Sequence, residues 1–179
     1  KDISKRLMVE AGVKTPRWTY VDTTNPNAKE IAATVGLPCV IKPCSCGSSV
    51  GVSIVNSVDE LDEALQDALV FEDRLLVEQR IVGRELTAGV LDGYRLPPME
   101  IIPREGFYDY KNKYQNGCTL ELCPAPIPQE KEQELQELTA RGFEALRLSG
   151  YARFDYIMDG DGKLWCLEAN TLPGMTPTS

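Results

Sequence analysis

The sequence predicts an α+β fold, in which helices and strands alternate irregularly along the chain. Turn sequences join neighbouring strands directly at Asp92-Gly93 and at residues 159–162, which read Asp-Gly-Asp-Gly. Such turns connect antiparallel strands, whereas a doubly wound parallel sheet requires a crossover helix between strands. The 179 residues suffice for one sizeable core or for two small subdomains.

The first half of the chain is predicted to contain three helices and three strands. Gly12 ends the first helix, whose apolar face carries Ile3, Leu7, Met8 and Ala11. Ser57 and Glu60 have the spacing of a capping box at the start of the third helix. The predicted elements are a helix over 2–12, a strand over 17–21, a helix over 25–35, strands over 38–42 and 51–55, and a helix over 57–70.

The second half is predicted to be rich in strands, with one long helix. That helix has an apolar face formed by Leu135, Leu138, Phe143 and Leu146. Residues 104–128 are predicted to be a long loop, and loops of this length inside a compact domain are usually functional. The predicted elements are strands over 75–78, 85–91 and 98–103, a helix over 129–148, and strands over 151–158 and 163–170.

Composition excludes several classes of function. The chain is 42% hydrophobic and 26% charged, which is typical of globular domains. Its 19 basic and 27 acidic residues argue against broad binding to nucleic acid or to an anionic membrane. The absence of histidine excludes Ser-His-Asp and Cys-His catalysis and histidine-ligated zinc. Six cysteines without a CxxC pair, no signal peptide and no long apolar run predict a cytoplasmic protein with no membrane segment.

The closing hairpin gathers polar residues that suit a metal site. Strand alternation places Arg153 and Asp155 on one face, and Glu168 and Asn170 on one face. A tight turn at residues 160–161 would place Asp155 opposite Cys166 and Arg153 opposite Glu168. Two carboxylates and an amide oxygen beside a guanidinium suit Mg²⁺ that carries phosphates. The alternative is an ordinary hairpin with a solvated outer face, although the apolar neighbours and the adjacent loop 170–174 favour a site.

A second motif is the small-residue loop that follows Lys42. Glycines in residues 47–51 would let backbone N–H groups approach a polyphosphate, and the serines add donors. The lysine precedes the glycines, so this is not the GxxxxGK[ST] loop. The alternative is a flexible hairpin loop. Residues 107–114 are rich in tyrosine and lysine, and they suit equally a mobile lid or a packing loop.

Together these motifs resemble the ATP-grasp carboxylate–amine ligases, most closely the D-alanine–D-alanine ligase family. The resemblance rests on residues 42–51, 108–114, 153–155 and 167–176, which occur in family order along the chain. It implies an ATP-grasp fold in which two α+β subdomains clasp ATP between antiparallel sheets. Residues 1–77 would form the small subdomain with the phosphate loop. Residues 78–179 would form the large subdomain with the metal site, truncated at its end.

The resemblance also implies a role for each site residue. The ATP phosphates would be bound by Lys1, Lys42, Ser48, Ser49 and Lys113, the adenine by Glu78 and Ile81, and the ribose by Glu85. Two Mg²⁺ ions, with Mn²⁺ as a possible substitute, would be held by Asp155, Glu168 and Asn170. Arg153 and the N–H of Gly174 would stabilise the oxyanion, Ser48 and Tyr114 would orient substrate and lid, and Ser179 would bind the carboxylate of the second substrate.

The implied reaction joins two D-alanine molecules for peptidoglycan precursor synthesis. The carboxylate of the first attacks the γ-phosphate of ATP to give an acyl phosphate and ADP. The amine of the second then attacks the acyl carbonyl, and phosphate leaves. The family's N-terminal domain, which binds the first D-alanine, would be a partner missing here, so we expect this segment alone to be inactive. The full-length protein is expected to be a homodimer. The alternatives are a ligase for D-serine or D-lactate, a non-catalytic ATP-binding module, and a cysteine-based metal or redox module.

Overall fold

The structure, a computed structural model, describes residues 1–22, 26–45, 51–103 and 119–174. In these residues the helices are α1 (Asp2–Glu10), α2 (Ala28–Val35), α3 (Val58–Phe71) and α4 (Gln129–Ala145). The strands are β1 (Trp18–Val21), β2 (Cys39–Pro43), β3 (Ser53–Val55), β4 (Leu75–Gln79), β5 (Gly83–Leu91), β6 (Tyr94–Arg95), β7 (Met99–Pro103), β8 (Thr119–Leu122), β9 (Tyr151–Asp159) and β10 (Leu164–Asn170). The pairings are all antiparallel, so the α+β prediction is confirmed. None of the described helices is long and apolar enough to cross a membrane.

The chain forms two compact units. Unit 1 comprises Lys1–Asp2 and Pro16–Arg80, and unit 2 comprises Ile3–Thr15 and Ile81–Ser179. The division predicted after residue 77 differs from these units mainly at α1, most of which belongs to unit 2. The assignment of the two parts as small and large ATP-grasp subdomains stays a prediction.

Unit 1 is a four-stranded sheet with strand order β1-β4-β2-β3 and a core shared with α2 and α3. Asn27 caps α2, because its side chain accepts hydrogen bonds from the N–H groups of Lys29 at 3.1 Å and Glu30 at 3.4 Å. The helix therefore begins at Ala28, later than predicted. The predicted cap of α3 is present, since Ser57 Oγ accepts from Glu60 N at 3.2 Å.

Unit 2 is a six-stranded sheet with strand order β10-β9-β5-β7-β8, and β6 pairs with β5. Residues of α1 and α4 pack with the sheet in one core. The sequence did not predict β6 or β8. The Asp92-Gly93 turn leads into the two-residue β6, and β8 pairs with β7 inside the region predicted to be a loop. Both strands are too short for a clear alternating pattern.

The predicted apolar face of α1 is buried only in part. Met8 is 1% exposed, as predicted, but Ile3 is 73% and Leu7 44% exposed, and the buried side of the helix includes Lys5, which is 2% exposed. Lys5 and Met8 are three residues apart and therefore share a helix face. A lysine can pack its aliphatic stem as an apolar residue does, which a pattern based on residue type overlooks.

Candidate functional site

The closing hairpin of unit 2 has a register that the sequence did not predict. Its turn contains three residues, 160–162, because Asp159 N donates to Lys163 O at 3.0 Å. Gly162 has a φ of 75°, as is usual for glycine at the end of a three-residue hairpin loop. A β-bulge then shifts the ladder between Cys166 and Glu168. Asp155 therefore lies opposite Glu168, and Arg153 opposite Asn170, which corrects both predicted pairs.

The bulge also separates core residues from site residues along β10. Cys166 pairs with Tyr156, and both are buried in the core of unit 2. Burial raises the pKa of the Cys166 thiol to about 12, which suits an inert core residue. Beyond the bulge, Glu168 shares the opposite face with its partner Asp155. In an unbulged strand, Glu168 would lie on the same face as Cys166.

Asp155 receives three hydrogen bonds from two side chains. Arg153 donates from Nε to Asp155 Oδ1 at 2.9 Å and from Nη2 to Oδ2 at 3.0 Å. Thr87 Oγ1 lies 3.0 Å from the same Oδ1. Thr87 is on β5, directly opposite Asp155, and only 5% of its surface is exposed. Sequence analysis missed Thr87, although its spacing from Glu85 places both on one face of β5.

The donor chemistry of this cluster fits a hard cation. Asp155, Glu168 and Asn170 offer carboxylate and amide oxygens, which Mg²⁺ prefers. In the described part of the chain, no three His, Cys, Asp or Glu side chains converge as a metal-binding group. The hairpin supplies two carboxylates and one amide. The Oδ1 of that amide, on Asn170, accepts a hydrogen bond from Leu172 N at 3.2 Å. A metal ion at Asp155 would have to share or replace the contacts of Arg153.

A cavity of about 400 Å³ lies beside Arg153 within unit 2. It brings together both predicted oxyanion partners, since Arg153 and Gly174 line the same space. The other lining residues include Thr87, Gly89, Leu96 and Pro173. A small molecule in this cavity would therefore meet the Arg153 guanidinium and the Glu121 carboxylate in otherwise mainly apolar surroundings.

The hairpin turn is fastened by Asp159. Its Oδ1 accepts from the N–H groups of Asp161 at 3.0 Å and Lys163 at 2.9 Å, and its Oδ2 accepts from Trp165 Nε1 at 2.8 Å. The bond from Trp165, together with those from Lys163 and Asp161, holds the pKa of this carboxyl below its usual value. The turn therefore fixes the spacing of the two strands that carry the site.

In unit 1 the structure pairs two predicted nucleotide ligands with each other. Lys42 on β2 forms an ion pair with Glu78 on the neighbouring strand β4. The Glu78 side chain is 2% exposed and that of Lys42 is 17% exposed. Lys42 is thus anchored by a buried carboxylate as it emerges from an apolar strand.

The predicted phosphate loop is anchored where it leaves the sheet. Lys1 Nζ donates to Pro43 O at 2.9 Å. The N–H of Ser45 donates to both carboxylate oxygens of Glu72, at 3.1 and 3.0 Å. Lys1 and Glu72 therefore flank the first residues of the loop, and sequence analysis did not identify this role of Glu72.

The remaining predicted residues divide into described and undescribed ones. Ile81 and Glu85 are half-buried in unit 2, and Glu85 lies opposite Ile157 on the same sheet face as Thr87. Five residues lie outside the described residues: Ser48, Ser49, Lys113, Tyr114 and Ser179. Their predicted roles stay predictions.

The described cysteines are free thiols, namely Cys39, Cys44, Cys123 and Cys166. Cys39 is buried in the core of unit 1, where burial raises its pKa to about 11. No three of them form a metal-binding group with other ligands in the described ranges. Cys46 and Cys118 lie outside those ranges.

Comparison with known proteins gives one family and similar solved structures. The family model for the D-ala D-ala ligase C-terminus matches residues 7–179. The D-alanine–D-alanine ligase of Methylacidiphilum infernorum (isolate V4) is 41% identical over 176 residues. Among solved structures, the D-alanine–D-alanine ligase from Bacillus anthracis complexed with ATP has a TM-score of 0.83 at 33% identity. The VanG D-Ala:D-Ser ligase from Enterococcus faecalis has a TM-score of 0.86 at 34% identity.

These matches cover the chain but only part of each relative. They include 98% of this chain and 56% of the Methylacidiphilum protein. They include all of this chain and 57% and 54% of the two solved chains. The chain thus spans about half the length of the relatives that it matches.

Proposed function

This chain belongs to the family of the D-alanine–D-alanine ligase C-terminus, and we propose that it is the ATP-using part of a ligase that joins two D-alanine molecules. Its α+β architecture of antiparallel sheets matches that of solved ligases in this family. Such a ligase would provide a peptidoglycan precursor. The N-terminal domain as partner, the homodimer and the cytoplasmic location stay predictions.

The observation that carries this proposal is the register of the β9–β10 hairpin. The bulge sets Asp155 opposite Glu168 and Arg153 opposite Asn170, so four polar groups form two adjacent pairs on one sheet face. An ordinary solvated face would not require a bulge that withdraws Glu168 from the core side. The same face carries Glu85 and Thr87 from β5.

The residues of unit 2 have distinct proposed roles. Asp155, Glu168 and Asn170 would hold the magnesium ions, which neutralise phosphate charge when bound. Arg153 and the N–H of Gly174 would stabilise negative charge on the reacting carbonyl oxygen, as their shared cavity supports. Glu85 and Ile81 would contact the nucleoside.

The residues of unit 1 would act on the phosphates of ATP. Lys42 would supply positive charge, and its ion pair with Glu78 would keep the side chain extended from β2. This ion pair favours a second role for Glu78, which would position Lys42 in addition to its predicted contact with the adenine. Lys1, at the start of the small-residue loop, would add a second ammonium group.

The second substrate could instead be D-serine, because one of the similar structures is a D-Ala:D-Ser ligase at 34% identity. Tyr114, which would favour an amine nucleophile over D-lactate, lies outside the described residues. D-lactate is the third alternative.

Phosphate release by the full-length protein tests the proposal. We expect release that requires Mg²⁺ and ATP, with D-alanine as both first and second substrate, and D-serine and D-lactate serve as competing second substrates. Glu168→Gln should abolish the activity, whereas Glu134→Gln, on the exposed side of α4, should retain it. Exclusive use of D-lactate, or full activity of Glu168→Gln, would contradict the proposal and favour a different ligase or a non-catalytic module.

A further inference from the structure

We propose that Thr87 is a positioning residue, which holds the Asp155 carboxylate in place while a metal ion displaces Arg153 from it. The inference rests on the proposed function, because it concerns the same metal site. It assigns a role to a residue of β5, a strand from which only Glu85 was predicted to contribute.

The first step is the location of the Thr87 hydroxyl. Thr87 and Asp155 are direct partners in the β5–β9 ladder. Thr87 Oγ1 lies 3.0 Å from Asp155 Oδ1 and 3.2 Å from Phe154 O. Thr87 is 5% exposed and its strand lies between β7 and β9, so these two contacts hold the hydroxyl in a buried position.

The second step concerns the other partner of Asp155. The guanidinium of Arg153 contacts both carboxylate oxygens, and these same oxygens would bind a cation. Metal binding therefore competes with this ion pair. The hydrogen bond from Thr87 approaches from the neighbouring strand and need not be broken when the guanidinium leaves.

The third step is the consequence for the site. A carboxylate that has no hydrogen bond to hold its orientation must lose conformational freedom when it binds the metal, and this cost weakens metal binding. With Thr87 present, Asp155 keeps one hydrogen bond throughout the exchange. Arg153 is then released toward the cavity that it shares with Gly174. Thr87 would thereby allow the Asp155 carboxylate to bind first Arg153 and then the metal without losing its orientation.

The test compares three variants of the full-length protein for binding of Mn²⁺ in the presence of ADP, measured by electron paramagnetic resonance. Thr87→Val keeps the shape of the side chain and removes the hydroxyl. We expect its Kd for Mn²⁺ to rise about tenfold. Thr87→Ser keeps the hydroxyl and should stay within about twofold of the wild type. Thr139→Val is the matched control, because Thr139 is a buried threonine that bonds Leu135 O and Tyr156 in the core.

The outcomes separate the two proposals. An unchanged Kd in Thr87→Val, or an equal rise in Thr139→Val, would overturn the role of Thr87 while wild-type ligation supports the proposed function. Absence of both Mn²⁺ binding and ligation in the wild type would overturn both proposals. Should Thr87→Val fail to fold, Thr87→Cys takes its place with the same expected rise, because a thiol is a weak donor.

Discussion

The ion pair between Lys42 and Glu78 makes a quantitative prediction for the stability of unit 1. Removing one partner of a buried ion pair typically costs about 3–5 kcal/mol, because the other charge stays buried. The Glu78 side chain is 2% exposed and that of Lys42 is 17% exposed, so after removal of the ion pair the lysine can reach water more readily than the glutamate. Lys42→Met should therefore cost about 3 kcal/mol at neutral pH, and Glu78→Met should cost less.

The double variant decides whether the two residues are coupled. When both charges are replaced by apolar side chains of similar size, the loss of stability is often small or absent. We expect Lys42→Met/Glu78→Met to lie within about 1 kcal/mol of the wild type, which corresponds to a coupling energy of about 2 kcal/mol or more.

Tryptophan fluorescence during urea unfolding can follow unit 1 by itself. The chain has two tryptophans, and Trp165 lies in unit 2. In a Trp165→Phe background, the remaining Trp18 reports on unit 1, since it pairs with Glu78 across β1 and β4. Additive losses in the double variant would refute the reasoning, because they would show that neither charge depends on the other.

Two further predictions concern unit 2. Gly142→Ala should lower the free energy of unfolding by about 1 kcal/mol, measured by calorimetry. The new Cβ would lie 2.8 Å from Phe154 Cε1, and the cost of this overpacking exceeds the gain in helix propensity. An unchanged or raised Tm would contradict the prediction. Asp159 has a pKa below its ordinary value of 3.8, so its ionised form contributes stability above that pH and loses it as pH falls through the lower folded-state pKa. The Tm difference between wild type and Asp159→Asn should therefore be largest near pH 7 and shrink below pH 3.8; a constant difference would exclude this role.

Local patterns predicted the elements well but not every pairing between them. The turn residues at 92–93 and 159–162, the cap of α3 and the polar residues of the closing hairpin could all be found in short stretches of sequence. The bulge could not, since its residues include no glycine that would mark it. The ion pair of Lys42 with Glu78 requires the register of β2 on β4, which depends on contacts 36 residues apart.

Thr87 shows the same limit within the site. A single threonine on a strand has no signature of its own, and its importance depends on which residue of β9 lies opposite. The buried face of α1 was only partly predicted, for another reason, because Lys5 occupies a position that residue type assigns to solvent. Strand register set by distant residues and the burial of an amphipathic lysine therefore account for most of the differences between the predicted and the observed structure.

The position of Glu168 in the sheet depends in part on its own charge, because the β-bulge in β10 keeps this carboxylate away from the core. A straight ladder beyond Cys166 would set Leu167 opposite Asp155 and turn Glu168 toward the core, where an ionised carboxylate is strongly disfavoured. Strand β10 therefore lacks one regular pairing with β9, and the Glu168 carboxylate remains on the face away from the core. An apolar residue at 168 would remove that penalty and allow the strand to slip by one position. Inactivity of such a variant would then report a displaced strand as well as a missing ligand, whereas Glu168→Gln keeps a polar side chain at this position and should preserve the register.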